Sequence, residues 1–221
     1  MGIAIAIAIE DALSETVWRR VIKHTRRDIT IAARYPETEL PGGRDNLRNV
    51  KERRGPSGFG QLRVRLPAFN RAAANGFPFF VLTDLDVHVK CPGQLLGKWL
   101  PRVRRSGNLV FRVAVREVEA WLLADRANLA DFLEVDSAHL PKRAESVADP
   151  KAEIVRLARL SSSEEITNDL VPHAGSTAEV GRYFERSLLT FARQHWDIEE
   201  AARRSRSLRR ALKAIERFQP I

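Results

Sequence analysis

The chain has 221 residues, enough for one domain with additions or for two small ones. It is 44% hydrophobic and 29% charged and holds one cysteine, Cys91, which excludes disorder by composition and an internal disulfide framework and suits a reducing cytosol. The net charge of +9, from 37 Lys and Arg against 28 Asp and Glu, fits either a polyanionic partner, nucleic acid first, or ordinary solubility.

Residues 3–9 alternate Ile and Ala. Both types are apolar, so both faces of a strand here can be buried, as in the centre of a parallel sheet. The run is short, lacks a basic leader and is followed by Glu10-Asp11, so it does not read as a signal peptide. No stretch reaches the length of a membrane span, and the expected setting is the cytoplasm, with no membrane partner. Residues 11–24 predict a helix with one apolar stripe (Leu13, Val17, Trp18, Val21, Ile22) and with Ser14 and Glu15 in a first turn that favours acid. Residues 29–33 fit a second strand. Residues 35–60 are broken by proline and glycine and read as loop. The interspersed Arg44, Arg48, Lys51, Arg53 and Arg54 either hold backbone phosphates or are the charges of a solvated loop. Residues 61–75 predict a helix interrupted near Pro67 and stopped by Gly76.

Phe79-Phe80-Val81-Leu82-Thr83-Asp84-Leu85-Asp86 is an apolar run that leads straight into two aspartates. It reads as a strand buried on both faces, and in open α/β sheets ligands bind at the carboxyl ends of such strands. Two carboxylates this close repel each other, and a hard cation relieves the repulsion; a turn or a helix cap is the other reading. His88, two residues on, either assists a metal or shuttles a proton, or is a plain polar residue. Cys91 lies in a Cys-Pro-Gly turn and reads as an incidental thiol. Residues 92–100 predict a short helix ended by Pro101, with Arg102, Arg104 and Arg105 as a basic turn.

Residues 108–115 form another β-rich run, which leads into Glu117 and Glu119. On one helix these two would point about 200° apart, so both reach one site only if Glu117 still belongs to the strand end. Otherwise one of them pairs with a neighbouring Arg. Asp125 serves the junction to a helix at residues 126–133. After Pro141 the pattern is helical: residues 150–160, with Pro150 in the first turn, then 183–195 and 198–218. Residues 161–167 read as linker or cap, and 171–176 as loop. The last helix has an apolar stripe (Ala201, Leu208, Leu212, Ile215) and an opposite face (Arg203, Arg204, Arg206, Arg210, Arg217) that is either solvated or phosphate-binding.

Three predicted strands thus end in acid: at Glu10, at Asp84 and Asp86, and at Glu117 and Glu119. On a mostly parallel sheet with flanking helices these ends share one edge. The expected organisation is an α/β domain over residues 1–135 and a helical C-terminal region over 136–221 packed on it. With no Cys/His set of zinc spacing, such a carboxylate group suits Mg²⁺ or Mn²⁺.

A Glu closing a first strand, a helix, and then Asp-x-Asp closing a later strand resemble the TOPRIM domain of topoisomerases, primases and OLD-type nucleases. Ile9-Glu10-Asp11-Ala12-Leu13-Ser14-Glu15, Leu82-Thr83-Asp84-Leu85-Asp86, Glu117-Val118-Glu119-Ala120-Trp121-Leu122-Leu123-Ala124-Asp125, and the later Leu170-Val171-Pro172, Gly181-Arg182-Tyr183, His195-Trp196-Asp197 and Ser207-Leu208-Arg209-Arg210-Ala211 resemble a bacterial TOPRIM-like family. Its members are often found beside ATPases of the AAA/ABC type and are thought to act in phage defence. The resemblance implies that Glu10 is the acid/base or metal-organising group. It makes Asp84 and Asp86 metal ligands, and has Glu119, with Glu117, complete the acidic set. Asp11 replaces the glycine that usually follows the glutamate, so the turn there differs. No Tyr stands where a topoisomerase nucleophile is needed, which favours a nuclease. The expected function is a Mg²⁺-dependent nuclease acting on DNA or RNA, with Glu10, Asp84, Asp86 and Glu119 catalytic. The alternatives are a non-catalytic subunit that senses nucleic acid or binds an ATPase, and a phosphotransferase or phosphatase; self-association stays open.

Overall fold

The computed structural model describes residues 2–35, 59–85, 89, 91–101 and 103–221. The expected phosphate-contacting residues Arg44, Arg48, Lys51, Arg53 and Arg54, together with Asp86 and His88, lie outside the described residues. Strands β1 (Ile3–Ala8), β2 (Ile29–Tyr35), β3 (Phe79–Asp84) and β4 (Leu109–Ala114) pair in parallel in the order β2-β1-β3-β4. The chain is an α/β protein whose all-parallel sheet is flanked by helices and followed by further helices, as the apolar strand runs predict. Because β2 lies on one side of β1 and β3 on the other, the order reverses between β1 and β3. The carboxyl side of that switch point is where open α/β sheets leave a crevice.

The strands take their places through the two-residue period of the pleat. Ile5, Ile7, Ile9, Phe80, Leu82, Val110 and Ala114 enter the larger core, while Ala8, Val81, Leu109, Phe111 and Val113 enter the smaller one. The smaller core lies under α2 (Phe59–Ala74) and α3 (Pro92–Trp99), which supply Leu62, Leu66, Phe69, Leu95 and Trp99. The larger core is shared by α1 (Ala12–Thr25), α4 (Val118–Ala124), α5 (Arg126–Leu133), α6 (Pro150–Ala158), α7 (Glu164–Leu170), α8 (Phe184–Gln194), α9 (Ile198–Arg204) and α10 (Arg206–Glu216). Trp18 of α1 is fully buried and donates its indole N–H to the Phe80 carbonyl at 3.3 Å, which fixes α1 against β3. Among the described residues no helix is long and apolar enough to cross a membrane.

Three elements differ from the sequence reading. α2 is continuous through Pro67. The stretch 161–167, read as linker or cap, does supply a cap, the Ser163 side chain accepting from the Ile166 amide, but it opens a helix that the sequence did not announce, α7, whose first turn carries Glu164 and Glu165. Residues 198–218 make two helices. Ser205 is extended (φ −107°, ψ 115°) and closes α9, and its hydroxyl caps α10 by accepting from the Leu208 amide.

Candidate functional site

Each acidic corner forms for a local reason. Ala8 of β1 lies level with Val81 of β3, so Glu10, two residues on, falls level with Thr83. The Thr83 hydroxyl indeed donates to Glu10 Oε1. Asp11 is extended (φ −143°, ψ 179°) and caps α1 by accepting from the Ser14 amide at 2.7 Å. The turn after Glu10 thus needs no positive φ, which is why an aspartate can stand there. Asp84 ends β3 opposite Ala114 of β4, and its Oδ1 accepts from the Val118 amide at 3.1 Å.

Past β4 the chain turns sharply at Arg116, whose φ of 72° is left-handed for a non-glycine residue and costs about 1–2 kcal/mol. The Arg116 carbonyl is held by the Leu85 amide at 3.1 Å. Glu117 is the extended N-cap of α4 (φ −145°, ψ 168°) and Glu119 lies in the first turn. Glu117 is therefore not helical, and this removes the angular conflict that two helical positions would create. Both glutamates reach one group: Lys151 Nζ of α6 is 3.7 Å from Glu117 Oε1 and 3.6 Å from Glu119 Oε1.

These acids act on one another. Burial raises the Asp84 pKa well above its ordinary value, and Glu119, Glu10, Asp11 and Glu117 push it further. Burial pushes Glu119 up from 4.5 to about 7; Lys151 opposes the rise, and Glu117 and Asp11 add to it. Glu10 and Glu117 are also raised, in both cases first by burial. Burial works to lower the Lys151 pKa, but Glu119, Glu117, Asp84 and Asp11 outweigh it and the net shift is upward. Glu119 is 4% exposed, yet its Oε2, like that of Glu117, has no hydrogen-bond partner. An unpartnered buried carboxylate oxygen is costly in a finished fold.

The structure thus brings Glu10, Asp84, Glu117 and Glu119 to the carboxyl edge of the sheet, around the switch point. Three further members were not singled out by sequence reasoning: Asp11, Thr83 and Lys151. A signal existed for Lys151, since a lysine in the first turn of α6 opposes the helix dipole unless acid faces it. Hard oxygen donors, two of them unpartnered, fit a divalent cation in kind. Among the described residues, however, no three Asp, Glu, His or Cys side chains are gathered closely enough to hold a metal ion.

A buried acid and a half-buried one contrast with this group. Asp125, fully buried, accepts from the Asp197 amide at 2.7 Å and from the Asn128 side chain at 2.9 Å, which joins α5 to α9. Glu145 Oε1 accepts from the Ser205 hydroxyl at 2.7 Å and the Ser207 amide at 2.6 Å. The Ser207 hydroxyl in turn accepts from the Trp121 indole at 2.7 Å. The Glu117–Asp125 segment and the Ser207–Ala211 segment therefore meet through structural hydrogen bonds. Gly181 is structural as well: a Cβ there would collide with the backbone of Asp169, Leu170 and Val171.

Fold and site together define a parallel α/β protein with a carboxylate-lined corner at its switch point. Comparison with protein-family models finds no match to the chain, and neither curated proteins nor solved structures show one.

Proposed function

We propose that this chain is a TOPRIM-like nuclease, dependent on Mg²⁺ or Mn²⁺, that hydrolyses phosphodiester bonds in DNA or RNA. The observation that carries this reading is the unsatisfied state of the acidic corner. Burial and mutual repulsion raise the pKa of carboxylates at the ends of β1, β3 and β4, and Glu117 and Glu119 each leave one buried oxygen without a partner. Asp84, Glu117 and Glu119 would have to draw together around a divalent cation as it binds; the ion would supply the missing counter-charge and lower the pKa of an attacking water. Asp86 joins that set on the strength of its spacing from Asp84. Glu10, steadied by the Thr83 hydroxyl, takes a proton from the attacking water and returns one to the leaving oxygen. Lys151 neutralises charge that grows on the phosphate, and the basic stretch containing Arg44, Arg48, Lys51, Arg53 and Arg54 holds the strand. The resemblance adds a working context of phage defence beside an AAA/ABC-type ATPase.

The test is incubation of the purified chain, alone and with the ATPase, with single- and double-stranded DNA and RNA in Mg²⁺ or Mn²⁺. The expected result is cleavage that Asp84→Ala abolishes. Intact substrates under every condition would overturn the reading.

Lys151 favours a second reading. Its ammonium already bridges Glu117 and Glu119 and can serve as a permanent counter-ion in a non-catalytic subunit that senses nucleic acid or binds the ATPase. Nucleic-acid or ATPase binding with neither cleavage nor a bound divalent ion would select it.

A further inference from the structure

The second concentration of unsatisfied charge is basic and lies along β4, at the edge of the sheet. Arg112, half-buried on this strand, lies on the same strand face as Val110 and Ala114, towards α10. Its Nε is buried without a hydrogen-bond partner. Burial first, and then Arg105 and Arg210, hold its pKa below the ordinary value. Two cavities, of about 660 and 400 Å³, share Arg105, Arg112 and Arg210 as walls. The larger extends from Gly107 along α10 past Lys213 and Arg217 and has no carboxylate among the described residues that line it. The smaller reaches Val115 and Glu145, whose Oε1 is already engaged by Ser205 and Ser207. Arg210, Lys213 and Arg217 follow one another at helical spacings of three and four and so share one face of α10. By contrast, Arg203 and Arg204 of α9 are paired with Glu200, so the Arg-rich C-terminal segment divides into a paired part and an open part.

Like charges crowd together in a fold at a cost unless an opposite charge is supplied from outside. We infer that the groove between β4 and α10 is a phosphate-binding site, in which Arg112 forms the floor and Arg105, Arg210, Lys213 and Arg217 form the rim. Guanidinium groups suit a phosphate because their fork of N–H donors matches two of its oxygens. The ligand is a phosphate oxyanion, carried either by a polynucleotide backbone or by a mononucleotide or free phosphate. The groove follows β4 towards Val115, two residues before Glu117, so a strand lying in it would run towards the acidic corner.

The test is fluorescence anisotropy of a labelled single-stranded oligonucleotide on the full chain in EDTA, with competition by AMP and by inorganic phosphate. EDTA and the Asp84→Asn variant separate this site from the acidic corner: binding in the groove persists in both whether or not the chain cleaves anything. The exposed pair Arg210→Gln/Lys213→Gln is expected to weaken binding about tenfold and to reduce the slope of log K against log salt by roughly one to two. Loss of oligonucleotide affinity identifies a backbone ligand. Loss confined to AMP or phosphate binding identifies a small one. Arg210→Glu, which gives Arg112 an acidic partner, is expected to abolish binding and to raise Tm by roughly 1–3 °C. Unchanged affinity for all three probes in variants that melt like the parent would overturn the inference.

Discussion

The acidic corner and the basic groove are built to opposite signs on the same principle, and both differ from the rest of the interior. Asp125 and Glu145 are acids whose hydrogen bonds are made within the fold. Glu119, buried, and Arg112, half-buried, each instead leave a buried polar atom unpartnered. In the proposed reading the difference separates charge that serves the fold from charge that meets a ligand, although Arg126 and Trp196 each also leave one buried nitrogen unpartnered. It also shows that the net charge of +9 is not spread evenly: acid collects at the carboxyl ends of β1, β3 and β4, and base along the outer strand.

The largest expected effect is on chemistry. Asp84→Ala should reduce cleavage on the order of a hundredfold or more, since even supporting residues of metal sites give losses of that size. Cleavage at the parental rate in this variant would break the comparison at its acidic end. Next comes stability against pH. The folded-state pKa of Glu119, about 7, lies above its ordinary 4.5, so the folded chain holds this proton more tightly than the unfolded one. Stability from this group is full below pH 4.5 and is lost as pH rises through about 7, a change corresponding to about 3 kcal/mol. Lys151, Glu117, Asp11 and Asp84 all face it and shape the slope. Denaturant melts in EDTA should show this fall, and Glu119→Gln should flatten it.

The satisfied acids should behave in the opposite sense. Glu145→Ala strands the Ser207 amide and the Ser205 hydroxyl and should destabilise by about 1–3 kcal/mol. A neutral result there would erase the distinction between the two kinds of acid. The smallest effect concerns the turn that aims Glu117. Arg116→Val puts a β-branched residue at φ 72° and should cost about 1–2 kcal/mol, while Arg116→Gly should be close to neutral in a thermal melt.

Much of this was legible in the chain because it depends on local pattern. Unbroken apolar runs such as Phe79–Asp84 announce strands buried on both faces, and the acid at each end follows from reading one residue further. The parallel α/β class follows from that pattern. The order β2-β1-β3-β4 does not, because period-two patterning says which face a residue takes and nothing about its neighbouring strand. The break at Ser205 was hidden inside an amphipathic run, and it is set by Glu145, 60 residues away. The cap at Ser163 was visible as Ser-Glu-Glu, but a seven-residue helix carries little periodicity. Lys151 joins the acidic corner only through the tertiary placement of α6, and Arg112 was hidden as one polar residue in an otherwise apolar strand.

The most direct test is isothermal calorimetry of Mg²⁺ and Mn²⁺ into the full chain at neutral pH, repeated in buffers of different ionisation enthalpy. Carboxyls whose pKa values are raised by burial and mutual repulsion release protons when a cation takes their place. The account predicts saturable binding of one or more ions with proton release, lost in Asp84→Asn and Glu119→Gln. Heats no larger than dilution, or binding that both variants retain unchanged, would contradict it.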